Sequence, residues 1–221
     1  MGVLVKICGI KTADAADAAA QAGADFVGLN FHPTSPRYVN AEAARSLAER
    51  LRGRVRLVAL LADATDQAIG AAVEASRPDF IQLHGAETPE RVAAIRAQFG
   101  LPVIKVIPIA EAADFATVPA HEKTADMMLF DAKPPRGADR TGGHGAAFDW
   151  QLLRGRSFTR PWMLAGGLNA ENVARAIRSG EAPGVDVSSG VETAPGVKSA
   201  ELIRAFVAAA RNARFATVSP P

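Results

Sequence analysis

Short apolar or β-branched runs alternate along the chain with alanine-rich stretches whose apolar positions recur at helical spacing. The runs predict strands over residues 4–8, 26–30, 55–61, 80–84, 103–107, 127–131, 162–165 and 185–188. The stretches between them predict helices over 13–22, 41–51, 66–76, 89–98, 111–115, 149–153, 170–179 and 200–211. Strict strand–helix alternation makes βαβ units and parallel strands. Eight units in about 210 residues match a compact single-domain (β/α)8 TIM barrel, whereas a doubly wound sheet needs fewer strands. No linker interrupts the pattern, so residues 1–211 are read as one catalytic domain and 212–221, ending in Ser-Pro-Pro, as a frayed tail.

The strands carry polar residues that an all-apolar sheet would lack. With a period of two, Lys6 and Cys8 share a face, as do Gly28 and Asn30, Gln82 and His84, and Asp186 and Ser188. In a barrel these faces point inward, and the later member of each pair reaches the C-terminal mouth, where barrel enzymes place their chemistry. A polar interior satisfied by its own hydrogen bonds would account for any one of them, but several at strand ends favour a site. The first and eighth strands meet where the barrel closes, so Lys6 and Asp186 are expected to pair below the mouth, since either charge buried alone would be costly.

Composition narrows the partners. The 221 residues are 48% hydrophobic and 22% charged, which excludes a mostly disordered chain, and the absence of a long uncharged apolar run predicts no membrane span. Twenty-five basic against 23 acidic residues leave a net charge of +2 spread along the chain, no footprint for nucleic acid. One cysteine, Cys8, excludes a disulfide framework and a thiolate-caged zinc. The N-terminal residues read neither as a secretory signal nor as a myristoylation signal, which makes the cytoplasm the expected compartment. Monomer and homodimer both stay open.

Two segments are suited to an anion. Gly166-Gly167 follows the seventh strand, with Asn169 placed to cap a helix from about residue 170, and Ser188-Ser189-Gly190 follows the eighth. Glycines expose backbone N–H groups, serines add hydroxyls, and these loops are the usual phosphate site of this barrel. A phosphorylated small molecule is the expected ligand.

The remaining candidates carry alternatives. Cys8 is either a small buried hydrophobe or a reactive thiol beside the Lys6 cation. Asp131, ending an apolar strand, needs a partner or a task, and a thiol facing a carboxylate across the mouth would make one base and one acid. Arg37, in a loop stiffened by Pro33 and Pro36, either faces solvent or grips a planar carboxylate. The glycine-rich stretch 141–145 reads as part of a lid, with His144 in it either functional or merely exposed.

Across essentially its whole length the chain resembles the phosphoribosylanthranilate isomerase family. The resemblance is carried by Lys6-Ile7-Cys8-Gly9-Ile10, Ser35-Pro36-Arg37-Tyr38-Val39, Gln82-Leu83-His84-Gly85, Leu129-Phe130-Asp131, Gly142-Gly143-His144-Gly145, Ala165-Gly166-Gly167-Leu168 and Asp186-Val187-Ser188-Ser189-Gly190-Val191-Glu192. It implies Cys8 as general base, Asp131 as general acid and Arg37 as the clamp on the anthranilate carboxylate. It also implies substrate contacts at His84, Gly143 and Gly145, and phosphate binding around Gly166-Gly167 and Ser188-Ser189-Gly190. The implied reaction is an Amadori rearrangement that needs no metal or redox cofactor. His144 stands where the family usually has Ser or Thr. The related isomerisation of histidine biosynthesis would bring a carboxylate pair, against which Cys8 argues, and a non-catalytic sugar-phosphate sensor would have no use for Cys8 opposite Asp131.

Overall fold

Side chains decide where most helices begin. Thr12, Asn40, Thr65, Thr88 and Ser199 each accept a hydrogen bond from the N–H three residues on, supplying a partner that the first turn lacks. The computed structural model describes residues 2–133 and 148–213. The capped helices are α1 (Ala13–Gln21), α2 (Ala41–Leu51), α3 (Asp66–Ser76), α4 (Pro89–Phe99) and α7 (Ala200–Asn212). Between and before them run β1 (Leu4–Cys8), β2 (Phe26–Asn30), β3 (Arg56–Leu61), β4 (Phe80–Leu83), β5 (Val103–Ile109), β6 (Met127–Ala132), β7 (Trp162–Leu164) and β8 (Gly184–Val187). These strands pair in parallel in chain order, and β8 closes on β1 with Lys6 in register with Asp186. The predicted (β/α)8 barrel is the observed fold. No helix among the described residues is long and apolar enough to cross a membrane.

Alternation along each strand divides the core in two. Outward residues such as Ile7, Val27, Ile81 and Val185 pack against the helices. Inward, the N-terminal half of the barrel is apolar: Phe26 and Phe80 meet edge to face at 5.7 Å, with Val58, Ile104, Met127 and Met163 around them. The Arg56 guanidinium lies 3.8 Å over the Phe26 ring, closing that end with a cation on an aromatic face. Toward the C-terminal ends the interior turns polar, with Lys6, Asn30, Gln82 and Asp186 all buried.

The helix layer departs from expectation in the second half. After β5 the chain forms a 3-10 turn (Ala112–Thr117) and then α5 (Val118–Glu122), because Asp114 turns back to accept from the N–H groups of Ala110 and Glu111 and tightens the turn. Trp150–Leu153 is likewise a 3-10 turn rather than a helix. Aromatic packing replaces the missing helical cover on β6, where Phe130 lies 4.7 Å from Phe158 and 5.5 Å from Trp162, centroid to centroid. Helix α6 (Val173–Gly180) starts three residues later than expected. Asn169 accepts from the N–H groups of Glu171 and Asn172, a local turn that competes with the helix it was expected to cap. A hairpin of β9 (Glu192–Ala194) and β10 (Val197–Lys198), which the strand pattern did not predict, precedes α7. Helix α7 ends at Asn212, one residue into the expected tail.

Candidate active site

A cavity of about 1060 Å³, counted with its open mouth, sits at the C-terminal end of the barrel. Cys8, Asn30, His84 and Ser188, the four residues expected at strand ends on the inward face, all line it. Arg37, Asp131, Gly166, Gly167 and Ser189 line it too. Gly143 and Gly145, with His144, fall outside the described residues.

The expected charge pair is present beneath this mouth. Lys6 Nζ donates to Asp186 Oδ1 at 2.9 Å, with Lys6 fully buried. Its ammonium and the Cys8 sulfur share the hollow over Gly28: a Cβ on that glycine would lie 2.9 Å from Cys8 Sγ and 3.3 Å from Lys6 Nζ. Burial disfavours the charge on Lys6, but Asp186 and Cys8 hold its pKa above the usual lysine range. Burial pushes the Cys8 thiol up, and Lys6 pulls it down without cancelling that rise, while Asp186 adds to it. The signs fix an expected result. Lys6→Met removes the larger downward pull on the thiol, so a pH–rate limb set by Cys8 acting as base would move to higher pH. It also orphans a buried carboxylate, at a cost of roughly 3–5 kcal/mol. Adding Asp186→Leu recovers part of the stability and brings the limb partway back, still above wild type. Thermal melts and kcat/KM from about pH 6 to 10, which brackets an ordinary thiol near 8.5, are the measurements. Unchanged melting and an unchanged limb in Lys6→Met would refute the coupling.

Asp131, the penultimate residue of β6, has Oδ1 accepting from the N–H of Ala132 at 2.8 Å, which leaves Oδ2 aimed elsewhere. His84 Nε2 lies 3.3 Å from that second oxygen. The histidine expected among substrate contacts therefore sits against the acid candidate. Its loop is tied from behind: Lys105 donates to Gly85 O and Glu87 Oε2, both at 2.7 Å, and Glu87 accepts from the N–H groups of Asp63 and Gly85. Lys105 faces the helix layer, so it serves the site only by anchoring this loop.

Arg37 reaches the mouth but not with a free fork. Its Nε and Nη2 donate to Glu192 Oε1 and Oε2, both at 2.8 Å, and Lys198 donates to Oε1 at 2.7 Å. Burial opposes charge on Glu192, yet Arg37 and Lys198 together hold its carboxyl below the usual range. Lys198 also donates to the carbonyl and hydroxyl of Ser188, whose Oγ donates to Cys8 O at 3.2 Å. The chain Arg37–Glu192–Lys198–Ser188 thus ends on the backbone of the thiol residue. Among the described residues, Nη1 of Arg37 and the outer edge it shares with Nη2 donate no hydrogen bond. Gly9 makes room for the arginine, since a Cβ there would lie 2.6 Å from Arg37 Cδ, and its φ of +79° is one that glycine tolerates.

The loops after β7 and β8 come together at the mouth. Ser188 spends its hydroxyl inside the network, which leaves Ser189 and the glycine backbone facing the cavity. Gly190 allows close approach instead: a Cβ there would fall 1.8 Å from Leu168 O, so no other residue lets the loops after β7 and β8 touch this way. Lys198 and the partnership of Glu192 with Arg37 escaped the sequence. The signal that could have found them is Pro195-Gly196, a turn pair that sets Glu192 and Lys198 across a hairpin.

Eight parallel strands around a mouth that holds a thiol, a carboxylate and glycine-rich loops define a (β/α)8 barrel with its reactive side chains gathered at the C-terminal face. The family model described as N-(5'phosphoribosyl)anthranilate (PRA) isomerase matches residues 5–209. An N-(5'-phosphoribosyl)anthranilate isomerase of Rhodopseudomonas palustris (strain BisB5) is 54% identical over 211 residues, covering 96% of this chain and 97% of that protein. One of Paramagnetospirillum magneticum is 51% identical, covering 97% and 100%. The crystal structure of phosphoribosyl anthranilate isomerase from Thermotoga maritima superposes with a TM-score of 0.84 at 34% identity, covering 94% and 98%. A structure of the isomerase in complex with reduced 1-(o-carboxyphenylamino)-1-deoxyribulose 5-phosphate gives 0.80 at 33%, with the same coverage. The chain belongs to the N-(5'-phosphoribosyl)anthranilate isomerase family, and it is an isomerase of tryptophan biosynthesis.

Proposed function

We propose that this mouth carries out the Amadori rearrangement of N-(5-phosphoribosyl)anthranilate to 1-(2-carboxyphenylamino)-1-deoxyribulose 5-phosphate, with Cys8 as base and Asp131 as acid. The observation that carries the assignment is that both line one cavity, each with a polar neighbour: Lys6 shares the hollow over Gly28 with the thiol, and His84 Nε2 lies 3.3 Å from the carboxylate. Asp131 protonates the furanose ring oxygen, and the C–O bond breaks to give an open-chain Schiff base. Cys8 then removes the proton at C2′, and the resulting enolamine tautomerises to the ketone. The phosphate lies on the N–H groups and hydroxyl of Gly166-Gly167 and Ser189, which share the cavity wall. Cytoplasmic residence belongs to this reading and is supported by a single, unpaired cysteine. A relative from Thermotoga maritima is described as dimeric, and gel filtration decides between monomer and homodimer for this chain. The assay generates substrate in place from anthranilate and phosphoribosyl pyrophosphate; purified protein that does not accelerate its conversion would refute the reaction.

Arg37 receives the anthranilate carboxylate on its outer edge while Glu192 holds the inner one. Arg37→Lys keeps a charge but loses both edges, so kcat/KM is expected to fall by roughly tenfold or more, over ~1.4 kcal/mol. A substrate analogue lacking the aromatic carboxylate should be equally poor with both proteins. If it still distinguishes them, Arg37 holds something else.

A further inference from the structure

Gln82 lies on β4 one pleat below His84, 1% exposed, and neither its Nε2 nor its Oε1 has a hydrogen-bond partner among the described residues. Its lateral neighbours in register are Leu60 on β3 and Ile104 on β5, apolar side chains that offer nothing to an amide. The residue nevertheless borders the cavity together with Cys8, His84, Asp131 and Asp186. A buried carboxamide with both ends unmet is unfavourable for the free protein, and an apolar residue of the same length would avoid that cost.

We propose that Gln82 is a substrate-binding residue whose amide accepts from and donates to hydroxyl groups of the ring-opened sugar chain, a reading that rests on the cavity being the isomerase site. The chemistry of the ligand's parts selects the hydroxyls. A phosphate and an aromatic carboxylate are acceptors only, and cations or clustered N–H groups serve them at the rim. A hydroxyl both donates and accepts, is neutral, and matches a neutral amide at depth. Gln82 is also well placed in depth. β4 stands opposite β8 in the closed ring, so the amide faces Asp186 across the interior, beneath the level at which His84 meets Asp131. With the carboxylate on Arg37 and the phosphate on the loops after β7 and β8, as proposed above, the carbon chain between them would cross this interval. Gln82 then discriminates for the hydroxylated chain, because a ligand lacking the hydroxyl leaves the buried amide unpaired.

The test is Gln82→Met, which keeps length and flexibility and removes both polar atoms. Three quantities are measured against wild type: the melting temperature, kcat/KM in the coupled assay, and the affinity for reduced 1-(o-carboxyphenylamino)-1-deoxyribulose 5-phosphate by calorimetry. The expected result is a melting temperature equal to or above wild type, with kcat/KM and affinity each lowered about tenfold or more. A structural role for the amide would lower the melting temperature instead, and that result overturns the proposal. So does affinity within about twofold of wild type. The calorimetric arm needs no turnover. Wild-type protein that binds the reduced compound without catalysing the reaction would refute the proposed reaction, while the ratio of affinities would still decide the role of Gln82.

Discussion

Cys8→Ala is expected to fold as wild type does and to lose about 100- to 10,000-fold in kcat, the usual worth of a positioned base. Only a sulfur atom leaves a nearly closed site, so the change in stability should stay near 1 kcal/mol. The large effect arises from position more than from abundance of thiolate. Burial raises the Cys8 pKa, so the deprotonated form is scarce at neutral pH, but a thiolate formed there is a stronger base than one in water. Turnover within a few-fold of wild type, measured on protein whose melting curve is intact, would remove Cys8 from the mechanism.

An effect of similar size is expected for Asp131→Asn, and it should fall on kcat with KM little changed. The substitution keeps the outline of the side chain. The amide oxygen can still accept from Ala132 N–H, as Oδ1 does now, and the amide nitrogen then faces His84. What it cannot do is give a proton to the ring oxygen. Steady-state kinetics across substrate concentrations separate the two constants. A variant that raised KM alone would make Asp131 a binding residue and send the search for the acid elsewhere.

Much of this arrangement was legible because strand periodicity is local. β1, β2, α2 and α3 occupy the predicted spans, and the inward faces follow from counting by twos. The Lys6–Asp186 pair was accessible for a further reason: barrel closure brings the first and last strands together whatever the loops do. The helix layer was harder to read, since the stretch after β5 ends in competing side-chain turns and an aromatic cluster takes over its packing. The state of Arg37 could not be read at all. Its guanidinium is held by a carboxylate 155 positions away, on a hairpin whose own register depends on a Pro-Gly turn. The orphaned amide of Gln82 was equally hidden, because an inward-pointing glutamine gives no sign in sequence of whether a neighbour meets it.

The change from apolar to polar along the barrel axis has an evolutionary corollary. Phe26, Phe80, Met127 and Met163 pack together away from the cavity, whereas Cys8, His84 and Asp131 line it. Mutation can therefore explore the two ends on separate terms. Drift at the apolar end is limited by how well the ring of side chains still fills its volume, and it leaves the ligand's surroundings alone. At the other end, an exchange at a strand terminus alters which molecule is accepted while most of the folding free energy stays in place. A lineage carrying this barrel can so acquire a new preference at the mouth before, and independently of, any repacking at its base.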